Sequence, residues 1–156
     1  MSGDDGNEVV FEPPQYAMKW QDYAAPVKLL HAVSTDKVRD SWPAILPGLQ
    51  EVRGRCNEVW WPEDVYASLM SGHSFLYMIE DCGFVIFQKH ADADGPVLFI
   101  WIIWGELKAI HAAVSAEIEQ LAVAMKAKRI RMHSPRKGWE RFPFFKRKSV
   151  IYEREI

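Results

Sequence analysis

The stretch VLFIWIIWGELKAIHAAVSAEIEQLAVAMKAKRIRMH, residues 97–133, decides the fold. Its first part, Val97 to Trp104, is apolar at every position, which places a strand at a sheet centre, covered on both faces. From about Lys108 to Lys126 the pattern changes. Ala112, Ala113, Ala116, Ile118, Leu121, Ala122 and Met125 form a small-residue stripe at helical spacing, suited to close packing on a sheet. Arg129 to His133 then alternates, with Ile130 and Met132 on one face and Arg129 and Arg131 on the other. A strand–helix–strand passage of this kind is a parallel crossover, right-handed by rule.

Working outward, two further strands precede it. Ser74 to Ile79 turns through Asp81-Cys82-Gly83 into Gly83 to Lys89, and the Asp- and Gly-rich stretch Asp92 to Pro96 leads into the central strand. These three form an antiparallel meander. Upstream, Pro62 opens a helix with Glu63 and Asp64 in its first turn, where the helix dipole favours acids, and Ser71-Gly72 closes it. Val38, Trp42, Ile45 and Leu49 are spaced as on a helix, yet Pro43 and Pro47 predict a broken helix or two short ones across Asp36 to Arg53. Val27 to Val33 is a predicted first strand. Downstream, Ser134 to Gly138 is a loop, Trp139 to Phe145 a short connection and Ser149 to Ile156 a predicted last strand. Residues 1–25 form a separate arm, acidic and Gly-rich at its start. It carries Phe11, Tyr16 and Trp20 as docking aromatics, and Pro13-Pro14 favours an extended polyproline segment.

Composition sets the outer bounds. The 156 residues suit one domain with its own core, and 49% hydrophobic with 26% charged residues is ordinary globular usage. Cys56 and Cys82 form no CxxC pair, and the five His are scattered, so no metal is expected. The polar, acidic start lacks the pattern of a signal peptide, and the longest apolar run falls far short of the ~20 residues of a membrane span, so no membrane partner is expected. Charge is segregated. Residues 1–125 hold 8 Lys+Arg against 18 Asp+Glu, net −10, and residues 126–156 hold 11 against 3, net +8. The basic block interleaves with Trp139, Phe142, Phe144 and Phe145, a composition met in nucleic-acid-binding surfaces. No recognition helix presents it, which favours a protein interface. Arg136, Lys137, Trp139, Arg141, Lys146, Arg147 and Lys148, with Phe11, Tyr16 and Trp20, are the candidate partner-binding residues.

The element order resembles the Gcn5-related N-acetyltransferase (GNAT) superfamily over residues 26–156: an α+β fold with a mixed sheet and helices on both faces. Arg136-Lys137-Gly138-Trp139-Glu140-Arg141, followed by Tyr152-Glu153-Arg154-Glu155, resembles the ending of small GNAT-like proteins encoded by tailed bacteriophages. The resemblance implies a turn between the fourth strand and the long helix that holds the pyrophosphate of acyl-CoA on glycine-rich backbone N–H groups. Here that stretch, Trp104 to Ala113, has a single glycine, Gly105, and an acidic Glu106. Trp104, Gly105 and Lys108 are the candidate cofactor contacts. Glu80, Glu106, Asp81 and His111 are candidate bases and Tyr152 a candidate acid.

Three functions follow. The first is a non-catalytic GNAT-like assembly component, cytoplasmic or in a phage virion, acting on protein partners or itself without a cofactor. The second is an N-acetyltransferase using acetyl-CoA through an atypical loop. The third is a nucleic-acid-associated module using the basic block.

Overall fold

A computed structural model describes residues 28–56, 58–106, 111–134, 145, 147 and 152–156. Among these residues, five strands lie in chain order across one sheet: β1 (Leu30–Val33), β2 (Ser74–Ile79), β3 (Gly83–Asp92), β4 (Gly95–Gly105) and β5 (Arg129–Met132). The first three pairings are antiparallel, and β4–β5 is parallel. Helices α1 (Val38–Cys56) and α2 (Pro62–Met70) cover one face, and α3 (His111–Ala124) covers the other. The expected α+β mixed sheet with one parallel crossover is what forms.

Alternation along the strands sorts the side chains into two cores. Phe84, Ile86, Leu76 and Ile102 meet Ile45, Leu49, Val65 and Leu69 beneath α1 and α2. Val85, Phe87, Leu98 and Ile100 meet Val114, Ile118 and Ala122 beneath α3. The apolar run of β4 serves both cores, which is why it shows no alternation. Of the expected α3 stripe, Ile118, Leu121, Ala122 and Met125 join the core with Ile130 and Met132 of β5; Ala112, Ala113 and Ala116 are only half-buried, and Val114, outside the expected stripe, is more deeply buried.

Several expectations need correction. The helix over residues 38–56 is continuous despite Pro43 and Pro47, and a 3-10 turn at Thr35–Lys37 leads into it. The prolines stand four apart on the exposed side. The carbonyls of Arg39 and Pro43, deprived of their amide partners, can meet water while Val38, Ile45 and Leu49 hold the buried side. The first strand begins at Leu30, and β3 extends to Asp92, which narrows the expected turn to Ala93 and Asp94. Within the expected last strand, Tyr152 to Ile156 have no strand structure and are exposed; residues 149–151 lie outside the described part. The N-terminal arm is outside it as well. Among the described residues, no helix is long and apolar enough to cross a membrane.

Candidate functional site

Strand β4 carries the feature that matters for function. Its register against β3 shifts between Ile86 and Phe87, whose partners are Ile102 and Ile100. Trp101 is the extra residue, a β-bulge. In consequence Trp101 and Ile102, neighbours in sequence, both pack toward the α1/α2 core, and Trp101 meets the buried Trp60 edge-on at 6.3 Å. On its other side β4 pairs with β5 only from Val97 to Ile100, opposite Arg129 to Met132. Trp101 to Gly105 run on beyond the last parallel pair. The parallel pairing thus ends at Ile100, immediately before the bulge, and among the described residues β4 runs on past the end of β5 where the chain proceeds to α3.

The residues around this opening are tightly specified. Gly105 has φ +143°, and an added Cβ would lie 2.7 Å from the Cys82 carbonyl oxygen. Opposite it, a Cβ on Gly83 would lie 1.9 Å from the Trp104 carbonyl oxygen. Both glycines are therefore required by the close approach of the β3 and β4 backbones. The Cys82 thiol donates to the Glu106 carbonyl at 2.8 Å, tying the β2–β3 turn to the exit of β4. Trp104 stacks on Phe84 with centroids 5.7 Å apart, and its indole N–H donates to Glu51 of α1 at 3.1 Å.

The candidate residues divide accordingly. Glu106 is exposed at the end of β4. Glu80 and Asp81 stand at the same end of the sheet, on the β2–β3 turn, but the Glu80 carboxylate lies 2.6 Å from Nε2 of His31 on edge strand β1. Tyr152 is exposed, 89% of its surface being open. Trp104 turns its ring into the α1 packing. Lys108 lies outside the described residues, and His111 begins α3. Among the described residues no cluster of His, Cys, Asp or Glu could hold a metal ion.

Only part of the basic block is described. Arg129 pairs with Asp92 and Asp94, and Arg131 forms a two-point contact with Asp92. Hydrogen bonds from Arg131 hold the Asp92 carboxyl below the usual carboxylate range, and those from Arg129 do the same for Asp94. Phe145 packs into the α3-side core, and Arg147 is exposed. Phe11, Tyr16, Trp20, Arg136, Lys137, Trp139, Arg141, Lys146 and Lys148 are outside the described residues.

Sequence reasoning missed a second concave feature. Between α1 and α2 lies a groove of about 740 Å³, lined by Trp42, Pro43, Leu46, Trp61, Pro62 and Tyr66 among others. Trp42 and Tyr66 meet edge-on at 4.9 Å, and the Arg53 guanidinium lies 3.7 Å from the centroid of Trp61. The exposed aromatic after the buried Trp60 was the available signal.

No protein-family profile and no curated protein sequence matches the chain. Solved structures do match. A ribosomal-protein-alanine N-acetyltransferase from Brucella melitensis biovar Abortus 2308 aligns at TM-score 0.60 and 13% identity, over 81% of this chain and 99% of that one. A probable acetyltransferase aligns at 0.58 and 15%, over 82% and 100%. An aminoglycoside acetyltransferase from an uncultured soil metagenomic sample aligns at 0.58 and 8%, over 81% and 95%. At such identities the likeness speaks for the backbone alone: the chain has the fold of the Gcn5-related N-acetyltransferases.

Proposed function

We propose that this chain is a GNAT-type N-acyltransferase that takes its acyl group from acyl-CoA. The observation that carries the reading is the end of the β4–β5 pairing at Ile100, directly before the Trp101 bulge, on the side of the sheet that leads to α3. Among the described residues, Trp101 to Gly105 have no strand partner on that side. They can receive an extended, amide-bearing ligand as an added strand would be received. In the reaction the acceptor amine attacks the thioester carbonyl, the C–N bond forms and the C–S bond breaks. The amine gives up a proton to a base, and the thiolate takes one up. Among the described carboxylates, Glu106 stands at the mouth of the opening, whereas Glu80 is engaged with His31. We assign the proton-accepting role to Glu106.

A second reading is favoured by Gly105. Its bare Cα faces the Cys82 carbonyl and Gly83, so the one glycine of the stretch serves the β3–β4 contact. No further glycine lies between Gly105 and α3. A GNAT domain without acyl transfer, acting in assembly through protein contacts, fits that fact. The resemblance to phage-encoded proteins would make it a virion component. The nucleic-acid reading loses weight because Asp92 and Asp94 already engage Arg129 and Arg131.

Calorimetric titration with acetyl-CoA separates the two main readings. Saturable binding at micromolar concentration, weakened when Ile103→Pro disturbs the β4 edge, supports the transferase. A flat isotherm with the folded wild-type chain refutes it and leaves the assembly reading.

A further inference from the structure

The groove between α1 and α2 takes no part in the opening beside β4. Its floor is aromatic, with the Trp42–Tyr66 edge contact and the half-open Trp61 ring. Pro43 and Pro62 complete its apolar surface, and Arg39 and Arg53 stand on its rim with Glu63. Flat rings set apart by shallow slots are the surface that polyproline segments dock on, because the extended helix is preformed and loses little entropy. A basic rim adds a preference for acidic flanks.

The chain itself contains such a segment. Residues 1–27 precede the described part, and they carry five carboxylates, Asp4, Asp5, Glu8, Glu12 and Asp22, against the single cation Lys19. Within them Phe11-Glu12-Pro13-Pro14-Gln15-Tyr16 places a proline pair between two aromatics beside an acid. The point of departure is fixed: the Glu117 carboxylate of α3 accepts the Leu29 and Leu30 amide hydrogens at 2.7 and 3.0 Å. From Tyr16 to Lys28 an extended chain reaches ~40 Å. The groove begins beyond a four-residue strand and a 3-10 turn, well inside that reach.

We propose that the α1–α2 groove is the docking site of the chain's own N-terminal segment Phe11–Tyr16, held by its prolines on the Trp42, Tyr66 and Trp61 rings and by its acids near Arg39 and Arg53. The groove is thereby a self-recognition surface, whether or not the β4 opening transfers an acyl group.

The test uses the full chain with indole 15N labels and compares it with Pro13→Ala/Pro14→Ala/Tyr16→Ala. The Trp42 and Trp61 indole resonances should move in the variant while those of Trp101 and Trp104 stay. Amide exchange across the groove-facing turns of α1 and α2 should speed up roughly threefold or more. Arg39→Glu should produce part of the same shift, and Glu12→Arg in that background should reverse it. Wild-type positions should not change on dilution. Groove resonances and exchange that do not differ between wild type and triple variant overturn the proposal. A dilution-dependent shift overturns it too, since the occupant would then be a second copy.

Discussion

Replacing Gly48 with alanine tests how closely α1 sits on the sheet. Gly48 is buried in the middle of the helix, and a Cβ there would lie 2.7 Å from both Phe84 Cε1 and Trp104 Cδ2, with Trp104 Cε3 at 2.9 Å. Carbon atoms are in contact at ~3.5–4.0 Å, so α1 or both rings must give by close to an ångström. Phe84 is 1% exposed and has nowhere to go. Trp104 is held by its stacking on Phe84 and by Glu51. Overpacking of this kind costs about 1–3 kcal/mol, and two restrained rings put the cost near the upper end. The alanine returns about 1 kcal/mol as helix propensity. The net loss is about 2 kcal/mol, which lowers a urea midpoint by about 1 M at a slope of about 2 kcal/mol/M. Gly54 of the same helix is the internal control. Nothing lies within 4 Å of its added Cβ, so Gly54→Ala should raise stability; near a helix end the gain is about 0.5 kcal/mol. Equilibrium urea unfolding followed by circular dichroism reads both variants. A Gly48→Ala midpoint equal to or above wild type refutes the packing argument.

Other outcomes follow from the charged groups and the site. His90 stacks on Phe99 at 4.3 Å, and its pKa is lowered first by loss of solvation, then by His133 and Arg131, with Asp92 opposing. The unfolded chain therefore binds more protons than the folded one just below the ordinary imidazole pKa, and stability should fall as pH drops from about 6.5. His90→Gln should flatten that slope in urea midpoints compared at about pH 7.5 and about pH 5.5; an unchanged slope would count against it. Asp92→Asn/Asp94→Asn removes the carboxylates that engage Arg129 and Arg131, so the variant should elute from heparin at higher salt than wild type. In the same variant the acid-side loss of stability expected of carboxyls with lowered pKa, below about pH 4, should shrink. If acyl transfer is detected, Glu106→Gln should lower turnover by ~10²-fold or more at neutral pH, with less effect as pH rises. Full turnover in that variant would move the base elsewhere.

Much of the architecture was legible because each element obeyed one dominant rule. Ser74–Ile79 was readable to the residue, and the apolar run of β4 disclosed its central place without fixing its ends. The stripe of α3 was legible from Ile118 to Met125, although Val114 was missed, and Pro43 and Pro47 misled. Proline acts on a helix through one clash and one lost bond, and packing by Val38, Ile45 and Leu49 outweighed both on an exposed side. The bulge at Trp101 left no local mark, since an inserted apolar residue in an apolar run breaks no pattern. The aspartates of Ala91-Asp92-Ala93-Asp94-Gly95 were taken for turn chemistry alone. Their partnership with Arg129 and Arg131 depends on a strand pairing more than thirty residues away. The α1–α2 groove exists only where two helices meet, so its one local signal was the tryptophan pair Trp60-Trp61.

The aspartate–arginine contacts also bear on how β5 finds its place. Arg129-Ile130-Arg131-Met132 alternates so regularly that sliding it along β4 by two residues would exchange Ile130 for Met132 under α3 and leave every apolar side chain on its proper face. Hydrophobic pattern cannot distinguish the two alignments. Charge can: only one alignment sets both guanidinium groups against the carboxylates of the β3–β4 hairpin. A misaligned β5 would also end its pairing with β4 at a different residue. The ionic face of this four-residue strand thus acts as a ruler, and the residue at which β4 runs on past β5 is measured from it.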